Sequence, residues 1–342
     1  MALLLVEGFD NIDTATLSQK GWAVSGQTVG SAYGRFAGSQ GVSLANYQGD
    51  IQAPIPASNT VILGFAICPL TNAYPNVAVF SSTSNQQIAV RMDWANSRLR
   101  FLRGDSTVLA STNIGSMNLS GSAWQYLEVK IYFHSSAGTI DCHVNGVSAM
   151  TPATGLVTQY GAVQAVTVVT IGGHIFGEGG LPMNVDDLYI CDDTGTTNNT
   201  FLGDVRVLTL MPTGAGGSTQ FTPSAGSNYA CVNEVPPNGD TSYVESSTVG
   251  NIDYYAMADL SVVPATIFGV QVDVDMEKTD AGARTGRTKL ISSAAVTNGA
   301  TVAPSAASYA YAKTIVEKDP NTTAAWTYAG VNAAQAGVEV VA

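Results

Sequence analysis

Short apolar or alternating runs, each bounded by Gly, Asn, Ser or Pro, recur through this chain of 342 residues. Examples are TVILGFAICPL, WQYLEVKIYFH and NVDDLYIC. No long stretch of the sequence has the 3.6-residue periodicity of an amphipathic helix, whereas runs of this length match strands whose side chains alternate between two faces. The pattern predicts an all-β fold, built as an antiparallel sandwich.

The chain is long enough to form two hydrophobic cores. After Pro212, the stretch TGAGGSTQFTPSAGSN is rich in Gly, Ser, Thr and Pro, a composition typical of segments between domains. Strand-like runs resume beyond it in NIDYYAMADL, ATIFGVQVDVDME and GVEVVA. We therefore predict a first domain over residues 1–212 and a second, smaller β domain over residues 213–342.

Charged residues make up 12% of the chain, and 26 Asp and Glu outnumber 14 Lys and Arg, which gives a net charge of −12. An average soluble domain has roughly 25% charged residues. Binding to nucleic-acid phosphates requires clustered Lys and Arg, and the sequence has no such cluster. Nucleic acid is therefore not expected as a ligand, and solubility rests largely on hydroxyl and amide groups.

No apolar run approaches the roughly 18 residues of a membrane span, so membrane insertion is not expected. The N-terminal MALLLVEGFD lacks the basic start and the apolar length of a signal peptide, which predicts synthesis in the cytoplasm. The cysteines are far apart and form no CxxC or Cys/His pattern, so neither a zinc site nor a disulfide framework is expected. We predict four buried thiols: Cys68, Cys142, Cys191 and Cys231.

In WQYLEVKIYFH, aliphatic residues alternate with a polar and aromatic set: Trp124, Tyr126, Glu128, Lys130 and Tyr132. Successive side chains of a strand point to opposite faces. We therefore predict that one face of this strand lies in the core and that the other is a half-polar, aromatic-rich surface.

Four acidic residues lie within eight positions of MNVDDLYICDDTG, and two interpretations stay open. In the first, alternation turns Asp186 and Asp187 to opposite faces, and one of them accepts hydrogen bonds from backbone amides. Asp192 and Asp193 then shape the following turn. In the second interpretation the four are oxygen ligands of a metal ion, although the EF-hand spacing is absent. We expect the first, and therefore no metal.

A second acidic group, in VQVDVDMEK, places Asp273, Asp275 and Glu277 two residues apart on one strand face. It resembles the acidic strand of laminarinase-type glycoside hydrolases, whose mechanism requires a carboxylate nucleophile and a general acid across one bond. However, the run lies in the second domain and lacks the neighbouring tryptophans of a sugar cleft. We interpret it as a solvated strand face and predict that the protein is not an enzyme.

The loop GGHIFGEGG contains His174 and Glu178 among glycines. It lacks the GK[ST] of a phosphate-binding loop, and no helix pattern follows it. We interpret it as a surface turn. Contact with a glycan or a partner is the alternative, because loops at the end of a sandwich commonly carry recognition.

The order W-x-Y-L-E-V-K-I, H-V-N-G-V, T-I-G-G and N-V-D-D-L-Y-I resembles the concanavalin-like, or laminin-G-like, jelly-roll sandwich. More narrowly, NVDDLYICDDTGTTNNTFLGDVRVLTLMP resembles a segment common in structural proteins of tailed bacteriophages. The resemblance covers most of the chain, most closely from Trp124 to Pro212. It implies a jelly-roll domain followed by a second β domain.

The resemblance further implies a non-enzymatic virion protein, either a capsid decoration or a tail or fibre appendage. Its partners would be capsid or tail subunits and further copies of itself, and a host-surface glycan would be an additional ligand. No cofactor is expected, but laminin-G-like domains often hold calcium at the rim, and the four aspartates of MNVDDLYICDDTG are the candidate ligands.

Two other functions remain as alternatives. The first is a carbohydrate- or receptor-binding adhesin module. Its candidate contacts are Trp94, Trp124, Tyr126 and Tyr132, together with the GGHIFGEGG loop. The second, which the missing acid pair disfavours, is a jelly-roll glycoside hydrolase.

Overall fold

The protein is described by a computed structural model that covers residues 2–44, 49–70, 76–119, 123–172 and 182–342. Nearly all regular structure in these ranges is β-strand. Within the same ranges no helix has the length and apolar character needed to cross a membrane.

The chain divides into two compact units. The first comprises Met1–Thr14 and Trp22–Val207, and the second comprises Ala15–Gly21 and Leu208–Ala342. The division falls at Val207. The Gly/Ser-rich stretch after Pro212, predicted to lie between the domains, instead begins with a strand of the second unit, Pro212–Thr219. No pattern in the sequence indicated that a short N-terminal segment belongs to the second unit.

The first unit is formed by strands in two sheets. The strands are β1 (Leu3–Glu7), β2 (Ala23–Ser25), β3 (Thr28–Gly30), β4 (Gly41–Leu44), β5 (Asp50–Ser58), β6 (Thr60–Pro69), β7 (Asn76–Ser81), β8 (Gln86–Asp93), β9 (Arg98–Arg103), β10 (Val108–Ser111), β11 (Gln125–Tyr132), β12 (Gly138–Val144), β13 (Val147–Ser148), β14 (Ala153–Leu156), β15 (Val166–Gly172) and β16 (Met183–Cys191). Short 3-10 helices lie at Ser31–Tyr33 and Trp94–Asn96.

Sheet A has the strand order β13-β12-β11-β6-β16-β4-β3, with β1 also paired to β16 and β14 to β12. Sheet B has the order β10-β9-β8-β7-β15-β5-β2. Neighbours such as β11, β6 and β16 are distant in sequence and pair antiparallel, so the chain crosses repeatedly between the sheets. The predicted all-β jelly-roll sandwich is confirmed.

The core lies between the two sheets. On β11 the aliphatic residues Leu127, Val129 and Ile131 are fully buried, and the ring of Phe133 lies 5.8 Å from that of Phe80 in sheet B, centroid to centroid. Each buried side chain of this size contributes about 1.5–3 kcal/mol by its removal from water. The alternation predicted for β11 therefore holds on its core side.

All four cysteines are buried thiols, as predicted. Burial raises the pKa of the Cys142 thiol well above its ordinary value, with the charge of Asp141 as a smaller cause. This thiol is therefore kept protonated and unreactive at neutral pH.

The second unit contains β17 (Pro212–Thr219), β18 (Thr222–Pro223), β19 (Val244–Glu245), β20 (Ile252–Met257), β21 (Val270–Met276), β22 (Gly286–Ser292), β23 (Ala295–Asn298), β24 (Ala310–Val316) and β25 (Gln335–Val340). Its main sheet has the order β17-β20-β25-β22-β23, while β18 pairs with β19 and β21 pairs with β24. It also contains helix α1 (Tyr328–Ala333) and 3-10 helices at Thr16–Ser18, Asn228–Cys231 and Gly239–Thr241.

A separate core holds the second unit together. It consists of Val272, Leu290, Trp326, Val331 and Ala334. The predicted second β domain is thus present, with its own apolar centre. Helix α1 was not predicted; it has only six residues, too few for a periodic pattern to be recognised in the sequence.

Strand β6 is buried along its whole length, so both of its faces are covered. On the face away from sheet B, Gly64 lies directly opposite Tyr189 of β16. A Cβ atom at position 64 would lie 2.1 Å from the Cε1 atom of the Tyr189 ring. The glycine therefore makes room for this ring to lie flat on the sheet.

We predict that Gly64→Ala lowers the free energy of unfolding by about 1–3 kcal/mol, because the Tyr189 ring must move to accept the methyl group. Chemical denaturation measures the loss. Gly30→Ala is the matched control: its backbone is extended, with φ of 172°, and its Cβ would meet nothing closer than 3.8 Å. Equal losses in the two variants would contradict the assignment of Gly64 to the ring.

Candidate functional site on the outer face of sheet A

The face of sheet A that points away from sheet B, here called the outer face, carries its side chains in four cross-strand rows. The rows are Tyr126, Ala66 and Asp186; Glu128, Gly64 and Tyr189; Lys130, Ile62 and Cys191; and Tyr132 with Thr60. Tyr126 and Glu128 are 0% exposed and Tyr189 is 1% exposed. The first two rows must therefore be covered by another part of the chain.

The cover is the segment of residues 199–207, which we call the strap. None of these residues is in a strand, and side chains of the outer face hold the segment in place. At its start, the backbone carbonyl of Asn199 accepts a hydrogen bond from Lys130 Nζ at 3.5 Å. Next, the ring of Phe201 packs on the imidazole of His143, with centroids 4.2 Å apart.

Glu128 and Tyr189 hold the middle of the strap. Tyr189 Oη donates to Glu128 Oε1 at 2.5 Å, and the same carboxylate oxygen accepts the backbone N–H of Gly203 at 2.8 Å. The backbone N–H of Leu202 donates to Tyr189 Oη at 3.1 Å. Burial raises the pKa of Tyr189 far above its ordinary value, with the charge of Glu128 as the next cause, so the phenol stays protonated as the donor.

Arg35 holds the end of the strap. Its Nη2 lies 2.7 Å from Asp204 Oδ2, and its Nη1 lies 3.3 Å from the carbonyl oxygen of Val205. Nη1 also lies 3.4 Å from Asp187 Oδ2 on the sheet. The guanidinium carbon lies 5.4 Å from the centroid of the Tyr126 ring. One cation thus joins the strap, the sheet and a buried aromatic ring.

The prediction that alternation separates Asp186 from Asp187 is wrong. Strand β16 contains a β-bulge between Asp186 and Tyr189, and Asp187 has φ of +52°, in the left-handed region. A bulge inserts an extra residue and interrupts the two-residue period. As a result both carboxylates reach Arg35, one through its backbone N–H at 2.8 Å and the other through its guanidinium.

Both aspartates accept backbone amides, whereas the sequence predicted this for one. Asp186 Oδ2 accepts from Arg35 N, and Asp186 Oδ1 accepts from Asp187 N at 2.8 Å. Asp187 Oδ1 accepts from Val207 N at 2.8 Å, which fixes the last residue of the strap. Their oxygens therefore serve to position the chain, consistent with the architectural interpretation.

Asp192 shapes the turn that follows β16, as predicted. Its Oδ1 accepts the backbone N–H of Thr194 at 2.9 Å and the hydroxyl of Thr194 at 2.6 Å. Asp193 instead accepts the hydroxyl of Thr60 at 2.7 Å, at the end of the fourth row. In the described ranges, no group of three or more His, Cys, Asp or Glu side chains is arranged to hold a metal ion.

The two tyrosines of β11 that were predicted as contact residues differ in their exposure. The prediction that Tyr126 belongs to an aromatic surface is wrong: it is buried under the strap region, and its Oη donates to the carbonyl of Asp187 at 2.9 Å. Tyr132 is half-buried in the fourth row, and its ring stacks on His134 with centroids 5.5 Å apart. Of the two tyrosines, only Tyr132 keeps an accessible ring.

The two tryptophans lie elsewhere. Trp94 begins the 3-10 helix after β8, and Trp124 immediately precedes β11; both are half-buried. Near them the backbone N–H of Asn113 donates to the carbonyl of Ala149 at 2.7 Å, which joins two loops. His174 and Glu178 lie outside the described residues.

The acidic strand of the second unit is not fully solvated, contrary to its interpretation from the sequence. Asp273 Oδ2 lies 3.0 Å from Lys20 Nζ, and the two side chains are only 14% and 7% exposed. Burial, with a smaller contribution from the charge of Glu277, raises the pKa of Asp275 to about 6. The ion pair of Lys20 with Asp273 links the segment Ala15–Gly21 to the rest of the second unit.

Comparison with known proteins identifies no family. No protein-family model matches the chain, and no curated protein sequence matches it. Solved structures do resemble it in part. Domain 4 of AbnA, a GH43 extracellular arabinanase from Geobacillus stearothermophilus solved in complex with arabinotriose, is 16% identical with a TM-score of 0.41, over 56% of this chain and 92% of that chain.

Two Bacillus subtilis structures also match. A protein of unknown function with a galectin-like fold is 10% identical with a TM-score of 0.39, over 56% of this chain and 96% of that chain. The carbohydrate-binding module CBM66 is 12% identical with a TM-score of 0.28, over 51% of this chain and 92% of that chain. At these identities the likeness is one of fold.

The buried acids under the strap predict a pH-dependent stability. Burial, with a smaller contribution from the charge of Asp187, raises the pKa of Asp186 to about 7, and burial raises the pKa of Asp10 to about 6. An unfolded Asp titrates near about 3.9. The folded state therefore binds more protons between about pH 4 and pH 7, and the free energy of unfolding falls as pH rises through that window.

Asp186→Asn should remove the part of this pH dependence that Asp186 contributes. That part is a change of up to about 1.4 kcal/mol in the free energy of unfolding per pH unit. Urea denaturation between pH 4.5 and 7.5 measures it. Asp105→Asn is the control, because the hydrogen bond from Arg103 holds the pKa of Asp105 below its usual range and outside the window. A parent protein whose stability rises with pH over this window would contradict the prediction.

A second prediction tests whether the four aspartates hold the chain in position or bind calcium. Asp187→Ala should cost about 1–3 kcal/mol, because the amide of Val207 and the guanidinium of Arg35 lose their acceptor. EDTA should leave the melting temperature of the parent unchanged, since a ligand bound only to the folded state would stabilise it by mass action. A drop of several degrees on chelation, reversed by calcium, would favour the metal site.

Proposed function

We propose that this protein is a non-enzymatic virion component of a tailed bacteriophage, a capsid decoration or a tail appendage that binds host-surface glycans weakly. The observation that carries the proposal is the strap: the acidic groups of the outer face are occupied in holding the chain itself. The phage assignment rests on the sequence resemblance around NVDDLYICDDTG.

The use of these carboxylates supports the proposal that the protein is not an enzyme. A general acid or base must reach the proton it transfers, and glycoside cleavage requires two carboxylates facing one bond. Glu128 is fully buried beneath Gly203, and Asp186 and Asp187 accept backbone amides. Asp273 pairs with Lys20. None of these groups is placed to meet a polysaccharide.

Glycan contact is proposed at the fourth row of the outer face, beyond the start of the strap. The ring of Tyr132 stacks on His134, whose Nδ1 accepts the backbone N–H of Ser136 and of Ala137 and so fixes the imidazole. An aromatic ring fixed in this way offers a flat apolar surface with a polar edge, which suits the face of a sugar. Many copies on one particle would turn weak contacts into avidity.

Attachment to other virion subunits is proposed at the loops near Trp94 and Trp124. Here Ile114 is 72% exposed and Val147 is 68% exposed, although most large apolar residues of this unit are buried. The hydrogen bond between Asn113 and Ala149 joins the loop that carries Ile114 to the end of strand β13, which carries Val147. Clustered exposed apolar side chains commonly mark protein contacts.

Recognition is tested by measuring the binding of a multivalent form of the protein to a glycan array. We expect binding to bacterial surface glycans that falls by roughly tenfold in Tyr132→Ala, since a ring contact is worth about 1 kcal/mol or more. Tyr243→Ala, which removes a 39% exposed ring in the second unit, is the control and should bind like the parent. No binding to any glycan would reject the recognition role.

Two further measurements test the rest of the proposal. The protein should release no reducing ends from β-glucans, agar or bacterial surface polysaccharide above a blank, and turnover abolished by Asp275→Asn or Glu277→Gln would overturn the non-enzymatic assignment.

Antibodies against the chain should label intact phage particles in electron micrographs, and particles that lack the chain would reject the virion location.

A further inference from the structure

The exposed apolar side chains of the first unit are concentrated in two segments of the chain. In the described part of this unit, the large apolar residues that are exposed, apart from Phe36 and Leu70, all lie in residues 106–127 and 144–172. Neither segment contains an Asp, Glu, Lys, Arg or His, although 12% of the chain is charged. The exposed residues of the two segments are Val108, Ile114, Val147, Val157, Tyr160 and Val163.

The fold brings the two segments to one side of the sandwich. Strand β10, in the first segment, is the last strand of sheet B, and β13, in the second segment, is the last strand along sheet A. Strand β14 pairs with β12 at the same edge of sheet A. The hydrogen bond from the backbone N–H of Asn113 to the carbonyl of Ala149, at 2.7 Å, joins the ends of β10 and β13. The two edges therefore lie side by side.

The opposite end of β10 is also bordered by these segments. Gly104 lies in the turn that leads into β10, and a Cβ atom at this position would lie 2.4 Å from Tyr160 Cδ1. Gln87 Nε2 fixes the loop that carries this ring, because it donates to the carbonyls of Tyr160 and Val163 at 2.9 and 3.0 Å. The apolar surface thus extends along the whole of β10. We call its six exposed residues the β10 edge patch.

The edge of sheet B at β10 has little of the usual protection. Edge strands are commonly kept from pairing with another chain by charged side chains, by Pro or by a bulge. The sequence of β10, VLAS, has no charge and no Pro. Its register shifts between Val108 and Ala110, and such a bulge bends the strand. Contact with a partner is therefore expected through side chains rather than through addition of a strand.

We propose that the β10 edge patch binds the same patch on a second copy of this chain, in a two-fold symmetric dimer; this rests on the attachment surface of the proposed function and names its partner. In such a dimer both copies use the same surface, which must be complementary to itself. Uncharged apolar side chains meet that requirement, and their contact removes apolar surface from water.

The charge of the molecule favours a second copy over a basic partner. The chain has a net charge of −12, so a basic partner would be attracted to its acidic surface, and two copies repel each other where their acidic surfaces meet. The uncharged segments let two copies approach without bringing like charges together. Beside the first segment, Arg103 Nη2 and Asp105 Oδ2 pair with each other at 2.6 Å and add no net charge.

The test is sedimentation equilibrium of the full-length protein at about 10 to 100 μM. We expect the parent to have twice the mass of one chain. Val147→Asp should raise the dissociation constant of the dimer by roughly tenfold or more, because symmetry places two added like charges in one apolar interface. Val249→Asp is the matched control: it adds the same charge at a valine of the second unit that is 63% exposed, and it should associate like the parent.

A mixing experiment tests the two-fold arrangement. Ile114→Asp and Ile114→Lys should each associate more weakly than the parent. An equimolar mixture of the two should recover the dimer, since the two-fold axis then brings opposite charges into one interface. Melting curves of each variant establish that it is folded, and recovery in the mixture cannot come from an unfolded variant.

A parent that stays monomeric over this concentration range would overturn the inference. Attachment to a different virion subunit would then remain, and the labelling of particles decides the virion location separately. Equal weakening by Val147→Asp and Val249→Asp would attribute the effect to net charge and reject the patch. A mass that grows beyond the dimer with concentration, or a mixture of the Ile114 variants that does not recover, would reject the two-fold arrangement.

Discussion

The outer face of sheet A depends on one guanidinium. Arg35 has a side chain that is 13% exposed, and it lies between Asp187 on the sheet and Asp204 in the strap. A largely buried charge is tolerated only when it is paired and hydrogen-bonded, and removal of one partner typically costs about 3–5 kcal/mol. The bulge that brings Asp187 to this side and the strap that brings Asp204 therefore depend on each other.

This arrangement decides where recognition can occur. The middle of a sandwich face is a common place for a ligand, but here the chain itself occupies it through Phe201, Leu202 and Gly203. The ring of Tyr132, in the fourth row, lies beyond the start of the strap and stays half-buried.

Much of the fold could be predicted because it depends on local patterns. Period-two runs predicted the strands, renewed strand-like runs after Pro212 predicted a second β unit, and the wide cysteine spacing predicted buried thiols. The burial of Tyr126 and Glu128 could not be predicted in the same way, since it results from residues some 75 positions later in the chain, as in the contact of Glu128 with Gly203.

The prediction of the site from the sequence was wrong at Asp187, and the reason is a local break in the strand. Alternation assumes a regular strand, and Asp187 at φ of +52° interrupts it. Asp and Asn adopt the left-handed conformation more readily than most residues, so the doubled Asp was a signal for a bulge that the pattern argument did not use. Arg35 was missed because it lies in an irregular loop, where spacing gives no direction to the side chain.

The strap and the strand beneath it differ in how they are held, and this has a consequence for local opening. Strand β6 is paired on both sides, with β11 and β16, and is buried throughout. The strap is held by side chains and by isolated amide contacts. Regions of the second kind open at lower free energy than core strands. The amide protons of Leu202, Gly203 and Val207 should therefore exchange with solvent while those of β6 remain protected, and the face of Tyr189 would be uncovered repeatedly without unfolding of the sandwich.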